Sequence, residues 1–290
     1  MMNFIYFYFL FISFIGLNCL DVVSLFAKPN TQQLEYKCSP AKEYITVLSY
    51  LKQNKNLNIP ETQQKIIAEE ISQSCSGGAK RFINVVEVLT KSHLSVSESI
   101  NLAKDYALSD DDKTEAFLMM FSLLYLSEYL DLDINSALKV AQNFSSNFSG
   151  DIKIAKVNFQ KIVDFCVASK HLSLTHVVCA ELASRITQCG YQFVQEIASS
   201  FKEAFYFLTS SKNDAPNLIT SDAIGIAEEL VCTSPYALDN FKTAFKFAIS
   251  KSGHNLPRAE AIKFALNLAK KTNKQKLTET GNKTQSNASN

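Results

Sequence analysis

Seven cysteines, four histidines and a few clustered carboxylates are the side chains of this 290-residue sequence best suited to chemistry. Their spacing is the first test of what they could do. No C-x-x-C occurs, so zinc and thioredoxin-like chemistry lack their usual ligand pair. His171 and His176 are five apart, whereas two ligands on one helical face need a step of three or four. His93 and His254, like that pair, fall near predicted turns. Asp110-Asp111-Asp112 precedes an amphipathic run, where carboxylates cap a helix and complement its dipole. Glu69-Glu70 and Glu228-Glu229 read as solvated helix faces. G-x-G-x-x-G, P-loop, G-x-S-x-G and H-E-x-x-H patterns are all absent. The expectation is a non-enzyme with no catalytic, metal or cofactor residue. An enzyme built from ionisable groups on separate helices is the remote alternative.

The elements that carry these residues are helical. Gly and Pro are scarce, at 8 and 6, and period-two alternation is nowhere sustained. Six times an apolar residue is followed by a helix-starting one: Ile59-Pro60, Val96-Ser97, Ile134-Asn135, Leu174-Thr175, Ile219-Thr220 and Leu256-Pro257. Ser, Thr and Asn cap helices, and Pro is tolerated in a first turn. The intervals run from 37 to 45 residues, the range of helical solenoids. Before each mark lies a more aromatic helix anchored by Tyr44, Phe82, Phe117, Phe159, Phe201 or Phe241, with apolar residues three, four and seven places later. The prediction is an all-α chain of about six tandem αα-hairpins, forming either an open α-solenoid or a stacked helical bundle. Units fall near 38–74, 75–109, 110–149, 150–188, 189–231 and 232–273.

That register gives the cysteines a reading. Cys19 lies in the apolar leader, and the remaining six suit an oxidising compartment. Unit junctions pair Cys38 with Cys75 and Cys189 with Cys232, while Cys166 and Cys179 face each other across one hairpin. Buried unpaired thiols are the alternative. Four N-x-Ser/Thr sequons, at Asn143, Asn147, Asn282 and Asn287, are candidate glycan acceptors.

The two ends differ from the body. Residues 4–17 form an uncharged apolar run, the length of a signal-peptide core and short for a membrane span. Residues 1–27 are expected to be a signal peptide, cleaved near 19–27, with membrane attachment only if it stays uncleaved. Residues 274–290 are polar and predicted to be a disordered tail. The chain is therefore expected outside the cell, or in the periplasm of a bacterium. A net charge of +1 gives no footprint for nucleic acid.

Three stretches carry a family likeness. Asn240 to Gly253, continuing through Leu256 and Ala261–Leu268, places Phe and Ala at helical spacing across a Ser/Gly turn. Thr114–Phe121 and Phe193–Ile197 repeat the pattern in part. These stretches resemble the helical domains of spider silk proteins (spidroins). The chain departs from that family in having no Ala/Gly/Ser repetitive tract and in its many Lys, Asn and Cys residues. The resemblance implies a secreted structural protein that self-associates, and it transfers no functional residue. A protein- or peptide-binding solenoid is the second expectation.

Overall fold

The computed structural model describes residues 39–74, 77–127, 129–168, 172, 174–190 and 196–271. The expected leader and tail, Cys38, Cys75, His171, Asn282 and Asn287 lie outside them. Among the described residues there are twelve α-helices and no strand. They are α1 (Pro40–Gln53), α2 (Glu61–Ser72), α3 (Gly78–Leu89), α4 (Val96–Ala107), α5 (Asp111–Phe121), α6 (Ile134–Asn147), α7 (Ile152–Ala168), α8 (His176–Gly190), α9 (Ile197–Thr209), α10 (Thr220–Thr233), α11 (Ala237–Ile249) and α12 (Arg258–Lys271). A 3-10 turn at Lys55–Leu57 follows α1, and a π-helical segment, Ser122–Leu126, extends α5.

Polar side chains fix where these helices start. Asp110 accepts from the Lys113 amide at 2.7 Å and caps α5. Ser95 and Glu98 form a reciprocal capping box at α4, and Asp133 accepts from the amides of Asn135 and Ser136 at α6. The expected starters Ser97 and Asn135 are thus inside the first turn, because a better-placed acceptor stands two residues earlier. The Lys113 amide holds the Asp110 carboxyl below its ordinary value, and the Ser136 hydroxyl, 2.6 Å away, together with the Ser136 amide does the same to Asp133. The turns inside hairpins share a second device. Asn58, Asp131, Asn217 and Asn255 all have positive φ, between 46° and 55°, each followed by Ile or Leu. Asn and Asp tolerate this left-handed region best among residues with a side chain.

Each odd-numbered helix packs most extensively against the helix that follows it, giving six antiparallel hairpins. The hairpins then stack in chain order. In one row α1 meets α3, α3 meets α5, α5 meets α7 and α7 meets α9; in the other α2 meets α4, α6 meets α8, α8 meets α10 and α10 meets α12. Every substantial helix contact lies within a hairpin or between adjacent ones, the arrangement of a solenoid.

The core follows the repeat. Phe82, Phe117, Phe159, Phe201 and Phe241 are fully buried, one per hairpin from the second to the sixth. Burying each contributes about 2–3 kcal/mol. In the first, second and fourth hairpins the residue just before the anchor ties neighbouring units by polar contact. Glu43 accepts from the amides of Gly77 and Ala79 at 3.3 and 2.7 Å, capping α3 from α1. Arg81, also buried, donates to Asp111 at 2.8 Å and to the Ala107 carbonyl at 2.9 Å. Asn158 accepts from the Ala198 amide at 3.3 Å at the start of α9. These contacts satisfy helix-terminal groups that stacking would otherwise leave without a partner.

Candidate functional site

Cys189 and Cys232 form a disulfide with Cα atoms 5.0 Å apart. The two cysteines are in the last turns of α8 and α10, not in linkers, so the bridge ties the C-terminal ends of neighbouring second helices. The expected Cys166–Cys179 bridge is absent: both are buried free thiols. They do face one another from α7 and α8, and their sulfurs hydrogen-bond. That bond, together with burial, holds the Cys166 thiol well above its ordinary range. Packed this way the pair serves as small core residues. The Cys38–Cys75 pairing falls on residues outside the description.

The two described sequons are not equivalent. Asn143 is exposed on α6, but Ser145 of its triplet is buried and bonds the Tyr106 hydroxyl at 2.7 Å. Burial pushes that hydroxyl up to about 12, and the Ser145 bond acts in the opposite sense. Asn147 and Ser149 are both exposed where the chain leaves α6. Of the histidines, His176 has Nδ1 2.8 Å from the Leu130 carbonyl, linking α8 to the preceding hairpin, and His254 packs its ring between Phe247 and Phe264. Glu70, Glu228 and Glu229 are not merely solvated. Each pairs across a unit boundary, with Lys104, Arg185 and Lys270 respectively, and Lys139 pairs with Glu181 at 2.9 Å. Exposed pairs of this kind add little stability, so their role is register between units. Sequence periodicity missed them because their partners lie 34 to 43 residues away.

Two clefts open between second helices. One, of about 390 Å³, lies between α2 and α4 over Leu57, Ile59, Ile67 and Ile100, with Asn58 and Asn101 among its polar lining. The other, of about 280 Å³, lies between α6 and α8, with Lys139, Glu181, Arg185 and Gln188 around it. Gln188 donates there to the Asn143 and Phe144 carbonyls at 3.0 and 2.7 Å. Among the described residues no three His, Cys, Asp or Glu side chains gather as a metal site, and no helix is long and apolar enough to cross a membrane. The arrangement offers surfaces for association. No family model matches the sequence, and neither a curated protein nor a solved structure matches it.

Proposed function

We propose that this protein is a secreted, non-enzymatic helical-repeat scaffold whose role is structural self-association. The observation that carries this reading is the first hairpin. Tyr44 and Leu48 of α1 are only half-buried, although the aligned residues of the other five hairpins are fully buried. A module that cannot hide its apolar face alone needs a neighbour. The Cys189–Cys232 disulfide supports an oxidising compartment, and the spidroin-like spacing of Phe and Ala points the same way. Sedimentation velocity of the full chain tests the reading. Oligomers that grow with protein concentration are expected; a monomer at every concentration contradicts it.

The cleft between α2 and α4 favours a second reading, a scaffold for an extended peptide. Aliphatic side chains would fill its floor, and the amides of Asn58 and Asn101 would bond the peptide backbone. Ile66 also lines this cleft and is exposed, so a monomer that binds such a peptide, and loses it on Ile66→Asp, would favour this alternative.

A further inference from the structure

The fourth and fifth hairpins, and the fifth and sixth, meet through the same aromatic contact. Count from the anchor of each first helix. Phe165, six residues after the anchor Phe159, packs edge-on against Phe201 and Phe205 of the next hairpin, with ring centroids 6.1 and 5.7 Å away. Phe207, six residues after Phe201, does the same to Phe241 and Phe245 at 6.3 and 6.2 Å. In both cases the receiving pair is the next anchor and the residue four later. In both, the side chain one after that anchor covers the inserted ring: Lys202 sits 5.6 Å over Phe165, and Lys242 sits 5.6 Å over Phe207.

Among the described residues, the two ends of the stack hold the unmatched halves of this contact. Phe247, six residues after Phe241, is partly exposed like the seated Phe207, but among the described rings only the exposed His254 lies against it, with no receiving pair. At the other end Tyr44 and Leu48 occupy the receiving positions and are half-exposed, and Ile45, in the covering position, is 62% exposed. The terminal second helices are complementary in charge. α12 carries Arg258, Lys263, Lys270 and Lys271 against the single acid Glu260, whereas α2 carries Glu61, Glu69 and Glu70 against the single base Lys65, although Lys270, Glu70 and Glu61 already pair within the chain, with Glu229, Lys104 and Lys65.

We infer that copies of this chain join head to tail, with Phe247 of one copy inserting between Tyr44 and Leu48 of the next under Ile45. The inference rests on the self-association reading and names its surfaces. The occupant is a second copy because the contact continues, position for position, the one that already joins the fourth hairpin to the fifth and the fifth to the sixth, with Tyr44 and Leu48 in place of the two receiving Phe residues and Ile45 in place of the covering Lys. Such a contact is heterologous, since the two surfaces differ. It propagates into open chains unless the rotation between copies closes a ring.

The test compares the full chain with Ile45→Asp and Phe247→Glu variants by sedimentation. Each substitution alone is expected to weaken association about tenfold to a hundredfold. An equimolar mixture of the two is expected to recover a dimer and nothing larger, because each variant keeps the end the other has lost. Ile45 is exposed, so its variant retains the fold and decides the matter alone if circular dichroism shows Phe247→Glu to be unfolded. Wild-type oligomers that survive both substitutions overturn the head-to-tail contact and leave self-association standing. A wild-type chain that never associates overturns both.

Discussion

Phe201→Ala is expected to lower the unfolding free energy of the fourth and fifth hairpins by about 3–5 kcal/mol, the cost of a large aromatic deleted from a closed site. Phe201 is fully buried and receives the edge of Phe165 from the preceding hairpin. The substitution therefore removes an anchor of its own unit and half of an inter-unit contact. The control is Phe247→Ala. This residue occupies the inserting position in the last hairpin, where it is half-exposed, so about 1 kcal/mol is expected when the chain is dilute. Urea unfolding followed by circular dichroism measures both. In a stack of modules coupled only to their neighbours, the Phe201 variant is also expected to broaden the transition or split it. Equal losses at the two positions would mean that burial does not follow the repeat.

Removing the Cys189–Cys232 disulfide, as the Cys189→Ala/Cys232→Ala pair, is expected to cost about 4 kcal/mol. The bridge closes a loop with a sequence separation of 43, and most of its effect acts on the unfolded chain. The loss is expected to centre on hairpins four and five, because the bridge joins α8 to α10 and each hairpin couples only to its neighbours. Hydrogen exchange reads this directly. Amides of α8, α9 and α10 should lose protection, and those of α3 and α4 should keep theirs. Uniform loss across all twelve helices would show a single cooperative unit in place of a stack.

The repeat was legible because helix periodicity, caps and punctuation are local. Phe82, Phe117, Phe159, Phe201 and Phe241 announce a buried stripe within a single helix, and their interval announces the module. What covers each stripe is not local. The bonds from Glu43 to Gly77 and Ala79, from Arg81 to Asp111 and from Asn158 to Ala198 each span thirty or more residues. Nothing in the neighbourhood of those three residues distinguishes them from surface polar groups. The Cys189–Cys232 pair was legible through register, even though both cysteines belong to helix ends and not to the junctions that suggested it. For Cys166 and Cys179 register gave the facing but not the bond, since two thiols on facing helices can pack as free side chains or join. The turn residues Asn58, Asp131, Asn217 and Asn255 form a second repeat mark, each three residues before the start of a second helix, α2, α6, α10 and α12. Both the left-handed backbone and the Asn or Asp side chain that tolerates it recur.

The central claim is that six two-helix modules stack in chain order, and distances along one row of helices test it most directly. Lys42, Lys80 and Val157 each stand two residues before an anchor and are exposed, so spin labels there report equivalent points on α1, α3 and α7. Packed helix axes lie about 10 Å apart, so the stack predicts about 10 Å from Lys42 to Lys80 and about 30 Å from Lys42 to Val157. Two separations of similar size would place α7 beside α1, and the tandem stack would be contradicted.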